Sequence, residues 1–179
     1  VVDELRDEGT KIGALSIKLF GWMLGDFMAA RLATIGFFLV GALSVWYATY
    51  LLGRRAEAQP LKLAFGGQPE ARDYGRTLAD GALLIYLGSL GLLMHSHLTM
   101  PGALQVSLVA FTLYAAARFF ESYSVRAALS VGLGLGALIL TRGWVVPMAL
   151  FAGLAVLTAM RERKTLGHMF AITLPCALL

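Results

Sequence analysis

The chain is poor in charge and almost devoid of cysteine. Only 15% of its 179 residues are charged while 58% are apolar, and the mean hydropathy is +0.72. A soluble domain carries about a quarter charged residues, so the ordinary globular class is excluded. Intrinsic disorder, which needs few apolar residues, is excluded with it. Cys176 stands alone, so no disulfide closes within the chain. The glycines follow no triplet period, which removes collagen. No long run of Lys and Arg supports a nucleic-acid partner, and in so apolar a chain the net charge of +4 reports orientation in a bilayer. No cleavable signal peptide is visible at the start, since residues 1–11 are polar and acidic where a basic region and an apolar region are needed, and any targeting signal is expected upstream.

What is present is a succession of apolar stretches with charged borders: 32–52, 81–98, 102–117, 127–140 and 144–160, followed by 168–179. Backbone groups inside a bilayer must satisfy one another, and runs of this length with Leu, Ala, Gly and Phe on all sides read as helices, not as alternating barrel strands. The expected fold is an all-α integral membrane bundle of several spans, with residues 1–26 forming an external loop and interfacial helix and 27–179 the transmembrane part. Within the first part, 12–25 is too short to span and suits a helix lying in the interface, anchored by Trp22. Val1 opens the sequence in place of Met, and 168–179 falls short of the ~20 residues a span needs, so an internal fragment is expected, inactive by itself. The stretch Gly132-Leu133-Gly134-Leu135-Gly136 superficially matches a nucleotide-binding loop, but no strand precedes it, and close helix packing is the better reading.

Orientation follows from the basic residues. The connectors 53–80, 118–126 and 161–167 hold Arg54, Arg55, Lys62, Arg72, Arg76, Arg118, Arg126, Arg161, Arg163 and Lys164, whereas the other side holds Arg6, Lys11, Lys18, Arg31 and Arg142. The richer side is expected to be cytoplasmic, with 53–80 an irregular solvated loop. The opposite face then collects Asp26, Arg31, His95, His97 and Arg142. His95 and His97 are spaced i, i+2 and share no helix face, so polar capping at the interface is favoured over a metal pair. From Arg126 to Arg142 a helix rises about 24 Å against a hydrocarbon core of about 30 Å, which places Arg142 below the outer surface. A cation at such depth is costly unless it serves a site.

Several short elements then occur in a characteristic order: Thr10-Lys11-Ile12-Gly13-Ala14-Leu15, Leu19-Phe20-Gly21, Ala30-Arg31-Leu32, Leu51-Leu52-Gly53-Arg54-Arg55, and Ile139-Leu140-Thr141-Arg142-Gly143 ahead of Pro147. Together they resemble the N-terminal half of the membrane glycosyltransferases of the protein O-mannosyltransferase superfamily, most closely the bacterial branch with the lipid A aminoarabinose transferases. The resemblance implies a type C fold and transfer of a sugar from a polyprenyl-phosphate donor to a lipid or protein acceptor on the non-cytoplasmic face of the bacterial inner membrane. By position, Lys11, Arg31 and Arg142 fall on the family's cationic elements and would hold the donor phosphate, where a leaving phosphate develops charge in a water-poor site. Membrane lipids are the other expected partner. A divalent metal is admitted as cofactor, with no ligands assigned.

The departures are as informative. Gly13-Ala14 replaces a family proline pair, Ala33 replaces a proline, and Met100 stands where many members have Asp. In the family the principal catalytic carboxylate lies near the end of the preceding span, so the resemblance implies that it is upstream of Val1; Asp7 and Glu8 are candidates for auxiliary carboxylates or metal-site ligands, with solvated loop acids the favoured reading. Two alternatives stay open: a non-catalytic or degenerate membrane subunit, which the lost prolines favour, and a transporter segment, against which stands the lack of self-similarity between the halves.

Overall fold

A computed structural model of the chain describes residues 26–60, 67, 69–95, 101–122, 124–142 and 144–161. These residues form helices α1 (Asp26–Gly53), α2 (Ala71–His95), α3 (Pro101–Ser122), α4 (Val125–Arg142) and α5 (Val145–Arg161), plus a single 3-10 turn at Ala56–Ala58. Among the described residues there is no strand, so the expected all-α class holds. Among the described residues one helix is long and apolar enough to cross a membrane, through the window Ile35–Gly53 of mean hydropathy 1.8. Its 19 residues rise about 28 Å, close to the thickness of a hydrocarbon core. The apolar segments of α4 and α5 are shorter.

The helix limits follow local chemistry. Pro101 opens α3, where its missing N–H is no loss. Pro147 lies in the first turn of α5, before the i−4 bond it cannot make would be needed. The expectation of an irregular loop across 53–80 needs correction, because α2 starts at Ala71 and the backbone N–H groups of Asp73 and Tyr74 bond the Glu70 carbonyl. Asp73 in that first turn favours the helix N-terminus, and the good helix formers Ala71, Arg72 and Ala79 carry the helix through a stretch too polar for hydropathy to reveal. The interfacial helix expected at 12–25 and the run 168–179 lie outside the described residues.

Cross-helix contacts define the register. Tyr47 pairs with Tyr114 and Arg54 with Glu121, both separated by 67 residues, so α1 and α3 run parallel. Helix α2 runs opposite to both, because Gly41, Trp46 and Gly53 meet Tyr86, Asp80 and Gly75 in falling order. Gly134 faces Thr112 and Ala127 and Ala128 join Phe119, so α4 is antiparallel to α3. Helix α5 returns along α4, with Leu150 near Leu138 and Leu154 near Leu135. The first residues of α1, α3 and α5 therefore share one end of the bundle with the last residues of α2 and α4.

Packing relies on small residues. Ala115, Ala116, Ala127 and Ala128 are buried with Phe119, Val131, Leu135 and Leu154 where α3, α4 and α5 meet. At Gly41 a methyl group would sit 3.0 Å from the Ser107 Cα and closer still to the Ser107 and Tyr86 hydroxyls, so only glycine lets α2 and α3 close over α1. Gly134 does the same for α3 and α4, in keeping with the close packing read from its glycine run. The buried Thr112 and Thr158 hydroxyls donate within their own helices, to the Leu108 carbonyl at 2.8 Å and the Leu154 carbonyl at 3.0 Å, whereas those of Tyr86 and Ser107 bond each other across α2 and α3. Among the described residues no buried side-chain nitrogen or oxygen lacks a hydrogen-bond partner.

Candidate functional site

The bundle has two chemically distinct ends. At the first, α1 carries Arg31 near its start, α2 finishes at His95 and α4 finishes at Arg142. The register places the Arg142 backbone level with Leu104 on α3 and hence with Phe37 on α1. That is six residues, or about 9 Å, nearer the bundle centre than Arg31. Four of the residues read from the sequence as facing one side, Asp26, Arg31, His95 and Arg142, thus belong to helix ends that close the same end of the fold. Lys11, Asp7, Glu8, Trp22 and His97 lie outside the described residues, as do Met100 and Cys176. Among the described residues no group of three or more His, Cys, Asp or Glu could hold a metal ion.

The second end collects Arg54, Arg55, Arg72, Arg76, Arg118, Arg126 and Arg161, the C-terminal ends of α1, α3 and α5 and the starts of α2 and α4. The structure reveals here an aromatic and polar belt that sequence reasoning had missed. Trp46 stacks on Tyr50 at 5.4 Å and meets Tyr47 edge-on at 4.9 Å, while Tyr47 lies 6.1 Å from Tyr114 on α3. The Trp46 indole N–H donates to Asp80 on α2 at 2.8 Å. Asp80 is five residues inward from Gly75, which touches Gly53, so it lies about 7.5 Å inside the level where α1 ends.

Charges close the belt. Arg54 forms an ion pair with Glu121 of α3, and its guanidinium sits 5.6 Å from the centre of the Tyr50 ring. Tyr50 first, through hydrogen bonding, and then the Glu121 charge raise the Arg54 pKa above its ordinary value. Arg118 donates to the Tyr114 hydroxyl at 3.2 Å, and Arg55 reaches the Ala117 carbonyl at 3.5 Å. A sequence signal for this belt existed: Trp46, Tyr47 and Tyr50 stand at the end of an apolar run beside two arginines, the pattern of a headgroup-level aromatic girdle.

No protein-family model, curated protein or solved structure matches this chain.

Proposed function

We propose that the chain belongs to a multi-span membrane glycosyltransferase that takes its sugar from a polyprenyl-phosphate donor at the end of the bundle carrying Arg31 and Arg142. The observation that carries this reading is the convergence of α1, α2 and α4 on one end, with two cationic positions of the family-like elements on it and one of them set about 9 Å toward the centre. An arginine at that depth is expensive in lipid and is retained where an anion or a watery cavity offsets it. A phosphate linked to a long isoprenoid supplies such an anion from within the bilayer.

The spanning arrangement itself is supported by the apolar window of α1 and by the outward apolar side chains. Leu84 and Ile85 on α2, Leu133 on α4 and Met148, Val156 and Met160 on α5 are all more than half exposed. A soluble monomer rarely leaves so many large apolar side chains uncovered on three helices. The arginine-rich second end then faces the cytoplasm and the first end the opposite compartment, which in this reading lies outside the bacterial inner membrane.

The test uses the chain in lipid nanodiscs, offered a polyprenyl phosphate and the corresponding polyprenol. The reading expects binding that depends on the phosphate, because charge-assisted contacts to Lys11, Arg31 and Arg142 need it. Equal binding of the phosphate and the alcohol would overturn it in favour of a subunit without a donor site.

A further inference from the structure

We propose that the second end of the bundle is a binding site for an anionic phospholipid of the surrounding leaflet, its phosphate held by Arg118 and its acyl chain lying along α1. The proposal rests on the reading of the bundle as membrane-spanning and adds a ligand that the donor site does not involve. Gly36, Val40, Leu43 and Tyr47 recur on α1 at helical spacing, Arg54 follows just past its end two turns on, and all are exposed, so they form one stripe. Along it the chemistry changes from apolar, through a phenol, to a guanidinium. A phospholipid lying beside the helix changes from acyl chain through ester to phosphate over the same order.

The parallel register supplies the second wall. Tyr114 stands beside Tyr47, and Arg118 one turn further on donates to the Tyr114 hydroxyl. The nearby carboxylate, Glu121, is already engaged by Arg54, and Asp80 accepts from Trp46. Among the described residues Arg118 has no carboxylate partner: its five N–H donors meet one neutral oxygen. Arg55 adds a further cation where α1 meets α3. Such a surplus of positive charge beside aromatic rings at headgroup level complements a planar, bidentate acceptor such as a phosphodiester. A zwitterionic headgroup brings its own cation and complements it less.

Trp46 is a built-in reporter, since its ring contacts Tyr47 and Tyr50. The experiment uses the full chain with Trp22→Phe and Trp144→Phe, reconstituted in phosphatidylcholine vesicles containing brominated phosphatidylglycerol or, at equal mole fraction, brominated phosphatidylcholine. Trp46 emission is read in each. Stronger quenching by the glycerol lipid is expected, and Arg118→Gln should reduce that preference roughly tenfold or more, the effect of losing one charge-assisted contact to a phosphate. Arg72→Gln, on the outer turn of α2, should leave it unchanged. Glu121→Gln, which releases Arg54, should increase it, and this second variant keeps the idea testable if Arg118→Gln fails to fold. Equal quenching by both lipids would overturn the site and leave the spanning reading standing. Absence of quenching by either would overturn both. Equal losses in Arg72→Gln and Arg118→Gln would mean diffuse surface charge and no site.

Discussion

Gly41→Ala is the most informative single change in the fold. The position lies where α1 carries α2 and α3 together, and Tyr86 and Ser107 share a hydrogen bond of 3.1 Å across it. A methyl group there meets both hydroxyls and approaches the Ser107 backbone at 3.0 Å. Moving the hydroxyls is cheap only if their mutual bond is given up, worth about 1 kcal/mol, and separating the helices adds the ordinary overpacking cost of about 1–3 kcal/mol. Against this, Ala improves intrinsic helix propensity by about 1 kcal/mol over Gly. Gly36→Ala provides the control, since a methyl group there meets nothing within 4 Å, yet it gains the same propensity. The two variants should therefore differ by about 2–4 kcal/mol, with Gly41→Ala destabilised and Gly36→Ala unchanged or improved. Reversible unfolding in mixed micelles, followed by far-ultraviolet circular dichroism, measures both. Indistinguishable stabilities would refute the close approach of the three helices.

Further outcomes follow from other contacts. Arg54 and Glu121 are both partly exposed, so a double-mutant cycle with Ala should return a coupling of only about 0.2–1 kcal/mol; a value near zero would mean that the ends of α1 and α3 are aligned by packing alone. Gly134→Ala should behave like Gly41→Ala, because its methyl group would lie 2.5 Å from the Thr112 hydroxyl and 3.3 Å from its Cβ, and micelle unfolding reads it in the same way. In intact cells, with Cys176→Ser as background, an impermeant thiol reagent should label the Thr10→Cys variant and not Gln68→Cys. The reverse pattern would invert the proposed orientation.

The five helices were legible because each contains an apolar run, and runs report burial or lipid contact directly. Their true limits were less so. Residues 71–80 include Arg72, Asp73, Arg76 and Asp80, which lower hydropathy without preventing a helix, so a long α2 read as a loop followed by a span. The belt was hidden for a different reason. Trp46 and Asp80 are 34 residues apart and Arg54 and Glu121 are 67, and nothing local announces that α1 and α3 run parallel in that register. As sequence, Arg54 and Arg118 could only be counted toward orientation. Gly134 was visible within its glycine run, whereas Gly41, a glycine within an apolar run, gave no sign of the contact it makes. For the candidate donor site, the sequence supplied the cationic positions, and the backbone adds that Arg31 and Arg142 belong to the same end.

The central claim is that this end holds a lipid-linked phosphate, and Arg142 tests it most directly. The measurement is the affinity of the chain in nanodiscs for a polyprenyl phosphate, compared among the unaltered protein, Arg142→Ala and Arg142→Lys. One charge-assisted phosphate contact is worth about 1.5–3 kcal/mol, so Arg142→Ala should weaken binding by roughly one to two decades, whereas Arg142→Lys keeps a point charge and should lose far less. Arg118→Gln, at the opposite end of the bundle, should leave this affinity unchanged. An unaltered affinity in Arg142→Ala, or equal losses in both Arg142 variants, would contradict the account.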